Sequence, residues 1–442
     1  MSLWDHLLGK KSKEEPSLLF GRYSDAYKDS EKYDAWDLSL EKFTQGLFLE
    51  SYRLFLDYLY DEDQKNVSYR ENNGVLHFEI LQGSRKITGQ ADDLKVSAKA
   101  QLATTRKLEP HLLQRLLERN FDLTFSRYAL DEKGDIHIVF DTYTVDGSPY
   151  KLYYALKELA TNADKLDDLL LAEYESFLPV DTGITREVPT EEKEIKYNYF
   201  QRSILKTLQQ IQDHAQLIED YPTVVAYLIL SLSYKLDYLI KPEGTIMEAF
   251  ERIHRLQFAQ DGVPVNQKNE LLIHELEQLA AMDRDHFFRE MYQVSSTFGI
   301  TKPVNHKQIA GFIEGELHRF AWYLENGYPD VAQAITSYLV GYCLFNYALP
   351  LPDRQFFHLY YQVTEEPFFN DLGINRRFFH KDGKRLSGRA VRRAIREIRD
   401  QCEGKYEGCE PGLDGLHFES LPEFCRSYME MIRDLEFQER VT

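Results

Sequence analysis

The chain is 442 residues long, 43% of them apolar, and carries 53 basic against 72 acidic side chains, a formal charge of −19. That length and apolar content supply material for two or three domains and exclude a disordered chain, while the acidic balance disfavours nonspecific adhesion to DNA or anionic lipid. Four cysteines exclude a disulfide framework and point to a reducing compartment, the cytoplasm.

Residues 1–31 read as an arm. Its start, MSLWDHLLGKKSKEEP, lacks the long apolar stretch of a signal peptide, although Leu3, Trp4, Leu7 and Leu8 outline a short amphipathic helix over 1–10. Over 32–61, Trp36, Leu40, Phe43, Leu47, Tyr52, Phe55 and Tyr58 recur at spacings of three and four, which predicts one long amphipathic helix. The period then changes to two. Strands are predicted over 66–71, 75–81 and parts of 85–101, the first two joined at Asn72-Asn73-Gly74, residues that tolerate positive φ. Asn66-Val67-Ser68 has the letters of a glycosylation sequon, which carries no weight without secretion.

A helix follows over 109–119, with Pro110 in its first turn, and then strands over 121–130 and 136–143. A second long helix is predicted over 149–177, with Leu152, Ala155, Leu156, Leu159, Ala160, Leu166, Leu169 and Leu170 on one side. Residues 32–177 therefore form an α+β domain, an antiparallel sheet flanked by helices in the order helix, three strands, helix, two strands, helix. The proline- and glycine-bearing stretch 178–192 is a linker.

Residues 193–370 read as an all-helical domain, with helices over 193–219, 222–239, 245–258, 267–296, 304–325, 329–347 and 353–363. Pro222 and Pro329 each follow a Tyr at a first helical position, an echo that shared helix-start chemistry explains. The run between Asp330 and Asp353 has no charge. Gln333, Thr336, Ser337 and Asn346 dilute it, so it reads as a buried central helix and not as a membrane span. Phe287, Phe288, Tyr292, Phe320, Tyr323, Tyr338 and Tyr342 are expected to fill the core, part of the set lining a groove for a peptide or partner helix.

Charge separates the last segment. Residues 1–190 and 191–370 are net −10 and −9, whereas 371–442, a basic helical extension and a C-terminal helix, are net zero. Within it, 376–399 is strongly basic, with Arg376, Arg377, Lys384, Arg385, Arg389, Arg392, Arg393, Arg396 and Arg399. The last five lie at helical spacing and form a cationic face suited to nucleic-acid phosphates or another polyanion, with Phe378 and Phe379 placed to stack on bases. The competing reading is that this face docks on the acidic body of the same chain or of a sister subunit.

Other chemistry is weakly signalled. Cys402, Cys409, His417 and Cys425 are metal-ligand types, but their spacings match no compact zinc pattern. Asp181-Thr182-Gly183 has the letters of an aspartic protease signature in a single copy, where that chemistry needs two aspartates. Glu270 with His274, Asp283 with His286, and Glu314 with His318 do not make the paired Glu-x-x-His motifs of a di-metal bundle. Phosphate loops, dinucleotide fingerprints, zinc-protease helices and nucleophile elbows are absent, so no cofactor and no catalytic residue is expected.

The Trp36-bearing first helix, the Asn72-Asn73-Gly74 hairpin, the helix ending at Arg119-Asn120 and the closing helix over 151–168 give residues 32–177 a likeness to a known fold. This third of the chain resembles the type III secretion chaperone-like fold, most closely its YbjN-like branch. The resemblance implies an acidic, dimerising protein that binds partner polypeptides and has no catalytic residues. The function expected is thus a non-enzymatic protein-binding module, a chaperone or adaptor for a partner polypeptide. The alternatives are polyanion binding through 376–399, a structural role in a larger assembly, and an enzyme whose site is dispersed through the helical domain.

Overall fold

The computed structural model describes residues 18–105, 110–173, 177–178, 180, 182–381, 383 and 385–440. The architecture is α+β, an antiparallel sheet flanked by helices and followed in the chain by a helical region. The 1–10 amphipathic stretch and Lys384 lie outside the described residues.

The stretch predicted as one helix over 32–61 is a helical hairpin, α1 (Ser30–Thr44) and α2 (Phe48–Leu59). Gly46, at φ +75°, reverses the chain in a backbone conformation that glycine adopts without steric cost. Both helices keep the same apolar spacing, so the pattern conceals the break. At their contact Ser39 and Ser51 are buried, and each hydroxyl donates to the other residue's carbonyl, at 2.9 and 2.8 Å.

The hairpin of β1 (Val67–Asn72) and β2 (Val75–Gln82) turns at Asn73 and Gly74, both at positive φ, as their side chains predict. The one strand expected within 85–101 is two, β3 (Arg85–Ala91) and β4 (Lys95–Thr105). Between them the Asp92 carboxylate accepts the backbone N–H groups of Leu94 and Lys95, both at 2.8 Å, and closes a tight turn. Four strands, not three, therefore precede α3 (Pro110–Asn120). Then come β5 (Arg127–Leu130), β6 (Ile136–Tyr143), α4 (Pro149–Glu173) and the short β7 (Phe177–Leu178), which pairs with β4. The sheet order is β1-β2-β3-β4-β6-β5. Leu152, Ala155, Leu156, Leu159 and Ala160 of α4 are buried in a core with Val96, Ala98 and Ala100 of β4, as the helix stripe predicts. The side chains of Leu166, Leu169 and Leu170 lie outside the described residues.

The helical region comprises α5 (Thr190–Asp213), α6 (Ala215–Asp220), α7 (Thr223–Ile240), α8 (Gly244–Phe258), α9 (Val265–Ala280), α10 (Arg284–Arg289), α11 (His306–Glu325), α12 (Pro329–Asn346), α13 (Leu351–Thr364), α14 (Glu366–Asp371), α15 (Gly388–Cys402) and α16 (Leu421–Arg433). α7, with Pro222 at its N-cap, and α12, which begins at Pro329, pack on each other. α7 is long and apolar enough to cross a membrane, but 78% of it is buried inside the fold. The charge-free run lies in α12, where Val331, Ile335, Leu339 and Val340 are fully buried. One core runs from Tyr199 to Leu435, so the segment 371–442, distinct in charge, packs into the helical region.

The helix expected over 267–296 ends at Ala280. Asp283 caps α10, accepting the His286 N–H at 2.8 Å, and beyond α10 the chain leaves helical geometry. The reason lies in the other half of the molecule. Phe298 is buried in the core of the sheet domain, and the Gln82 side chain accepts the N–H groups of Thr297 (3.1 Å) and Phe298 (2.9 Å). Asn66, the sequon residue, is fully buried and donates to Thr297 Oγ1 at 3.0 Å, which leaves no room for a glycan.

The arm completes the junction. Gly21, at φ +69°, donates its N–H to the Tyr238 carbonyl (2.8 Å), and a Cβ there would meet the Tyr238 ring at 2.7 Å. Arg22 is gripped by Asp237 through two hydrogen bonds (2.9 and 2.7 Å) and by Glu251 at 3.0 Å, with its guanidinium 3.9 Å from the Phe345 ring centre. Lys165 of α4 reaches the other oxygen of Glu251 at 2.8 Å. A buried Arg22–Asp237–Glu251 cluster, extended by the exposed Lys165, thus ties together the arm, the helical region and the sheet domain.

Candidate functional site

A cleft of about 500 Å³ opens on the helical region between α7, α8 and α11. Local sequence positions its walls. Pro222 fixes the start of α7 and leaves Tyr221 just outside the helix, while α11 begins with a capping box between Asn305 and Gln308. α11 buries Ile309, Ile313, Leu317 and Phe320 in the core, and that rotation brings Glu316, Arg319 and Trp322 to the cleft.

Glu316 is 7% exposed. Its Oε2 accepts the Tyr227 hydroxyl at 2.7 Å, and its Oε1 accepts the Arg319 guanidinium. Tyr338 stands edge-on to Tyr227, ring centres 5.3 Å apart. Burial first, and then the charge of Glu316, push the phenols of Tyr227 and Tyr338 upward, so both remain protonated donors at neutral pH. At the mouth the rings of Tyr221 and Trp322 lie 4.8 Å apart, and Tyr323 meets Trp322 edge-on at 4.9 Å. Tyr221, Trp322 and the cleft-lining Phe258 are 42%, 37% and 44% exposed. The arrangement offers aromatic rings and phenolic donors beside a single carboxylate.

Of the aromatic residues that the sequence marks for core or groove, Phe287 and Phe320 are fully buried core, and Tyr323 and Tyr338 line the cleft. The helical pattern does not mark Tyr221, Tyr227, Phe258 or Trp322 for it. The available signal is Trp322 beside Arg319, off the apolar stripe of an otherwise amphipathic helix.

The basic segment does not dock on the acidic body through its arginines. α15 docks through Val391, Ala394, Ile395, Ile398 and Cys402, all buried, and not through its arginines. Arg389, Arg393 and Arg396 form an outward row. Arg393 is paired with Glu397 at 3.0 Å, whereas no ion pair engages Arg389, Arg396 or Arg377 among the described residues. Arg376 lies 3.5 Å from Glu397, Arg399 binds Asp400 at 2.8 Å, and Arg392 lies over the Phe418 ring at 4.8 Å. Arg385 is exposed. Phe378 is 3% exposed and Phe379 packs on the same core, so neither is free to stack on a base. Their apolar surface serves folding.

Among the described residues no three His, Cys, Asp or Glu side chains converge to hold a metal. Burial pushes Cys409 and Cys425 up to about 12 and raises Cys402, which keeps them as thiols, while His417 is exposed beside Glu419. The three carboxylate–histidine pairs do not meet either: His274 bonds Gln278, Asp283 caps α10, and His318 bonds the backbone carbonyl of Glu314. Asp181 lies outside the described residues, and Thr182 donates to the Ser84 carbonyl at 3.0 Å.

No protein-family model matches the chain, and no curated protein matches it.

Proposed function

We propose that this chain is a non-enzymatic protein-binding module, an adaptor or chaperone that holds a partner polypeptide at the cleft between α7, α8 and α11. The observation that carries this reading is the exposure of three large aromatic side chains, Tyr221, Trp322 and Phe258, around one concave site. Aromatic residues in water are costly unless something covers them, and they are enriched where protein surfaces meet. The likeness of 32–177 to chaperone-like domains agrees with it. The four cysteines, all buried and unpaired, support a cytoplasmic setting.

The test is a photo-crosslinking residue at position 221 of the full chain in its native host, with the same residue at exposed Glu270 as control and nuclease added. A discrete protein adduct at 221 alone supports the reading, and an adduct with a second copy of the chain assigns the cleft to a homodimer. No adduct, or one lost with nuclease, overturns it.

The outward arginine row of α15 favours a second reading, polyanion binding, because its apolar face is already buried and Arg389 and Arg396 are unpaired among the described residues. Retention on heparin that falls steeply with salt, and falls further in R389A/R393A/R396A, supports it. Elution at low salt by the unaltered chain overturns it.

A further inference from the structure

We propose that the cleft reads positive charge: it receives an arginine or lysine side chain of the partner, which takes the Glu316 carboxylate over from Arg319. The inference rests on the reading of the cleft as a partner site and adds what the site recognises.

Three observations converge on a cation. Glu316 is a buried carboxylate in a cleft whose lining is half aromatic, with one oxygen fixed by a neutral phenol. Tyr221, Tyr227, Trp322, Tyr323 and Tyr338 line the same cleft, and aromatic rings carry the negative side of their quadrupole on their faces, which attracts guanidinium and ammonium groups. The surrounding stretch 191–370 is net −9, a field that steers basic partners and repels acidic ones.

Arg319 already neutralises Glu316, and its geometry makes it an exchangeable stand-in. It reaches the carboxylate from three residues further along the same helix, and its side chain is 57% exposed, so the pair is held weakly against water. A cation entering the cleft from outside gains the ring faces as well as the carboxylate. Arg319 then swings into solvent and sets the threshold for entry.

The closing experiment uses the full chain and three capped tripeptides, Gly-Arg-Gly, Gly-Lys-Gly and Gly-Gln-Gly. The readout is Trp322 emission, taken as the difference between the unaltered chain and W322F. The expected result is a saturable change with the basic tripeptides and none with the glutamine one. E316Q weakens that binding by about tenfold or more, and R319A tightens it severalfold by removing the competitor. R319A alters an exposed side chain, so the test survives even if E316Q misfolds. The proposal is overturned if the basic tripeptides give no saturable change up to roughly 10 mM, if the glutamine tripeptide binds equally, or if R319A weakens binding. A silent tripeptide together with a discrete adduct at position 221 removes the cation site and leaves the partner site standing. A bound tripeptide with no adduct does the reverse.

Discussion

Replacing Arg22 with alanine is expected to destabilise the fold by about 3–5 kcal/mol, because it strands a buried charge. Asp237 is 4% exposed, and both of its carboxylate oxygens are held by Arg22. Glu251 is 8% exposed and keeps Lys165 at 2.8 Å when Arg22 is removed. The loss therefore falls on Asp237. Burial works against charge on Arg22, but the two carboxylates outweigh it and hold the guanidinium firmly protonated. An exposed pair such as Arg393 with Glu397 is worth roughly 0.5 kcal/mol by the same reasoning, so R393A is the natural control. The assay is urea unfolding of the full chain by circular dichroism at pH 7, with R22A, D237N and the double variant compared. If a stranded charge is the cause, R22A/D237N loses less than the two single variants together, since the asparagine carries no charge to bury. A loss under about 1 kcal/mol for R22A, or strict additivity, refutes the argument and means that water reaches Asp237 when the arm is altered.

Two further effects follow from local geometry. His358 lies between the Tyr238 hydroxyl (2.9 Å) and the Gln362 amide (3.0 Å), and burial, assisted by Arg354 and Arg376, lowers its pKa to about 4. The unfolded chain takes up this proton near pH 6.5 and the folded chain only near 4, so stability falls as the pH drops through that window. The contribution is about 3 kcal/mol, and H358Q lacks that part of the slope in denaturation series from pH 7 to 4. A Cβ at Gly46 would meet no atom within 4 Å, so G46A is opposed by its positive φ alone and lowers stability by about 1 kcal/mol, read from the urea midpoint.

What the sequence made legible was what neighbours along the chain decide. Asn73-Gly74 names its own turn, and the apolar stripe of α4 names the face it buries. Two short-range breaks escape the pattern for a common reason. At Gly46 and at Asp92 the periodicity on either side continues unchanged, and only one residue's backbone freedom or hydrogen bonding marks the reversal. The long-range features left no mark at all. Phe298 resembles any core phenylalanine, and nothing near it indicates that its core is the sheet domain of residues 52–163. The cleft is similar: Tyr221 precedes Glu316 and Trp322 of α11 by about a hundred residues, and they share a site only because α7 and α11 pack around the same core.

The basic segment shows how composition and packing separate. Ten cationic side chains over 376–399 dominate its composition and suggest an electrostatic attachment to the acidic body. Yet transferring an arginine from water into an ion pair on another surface gains little, since desolvation offsets most of the attraction. Burying Val391, Ala394, Ile395, Ile398 and Cys402 removes apolar area from water with no such offset. The apolar minority therefore decides where α15 sits, and the arginines occupy the face that remains. A strongly charged helix in an acidic protein is oriented by its few apolar residues, and its charge is left at the surface for whatever meets it there.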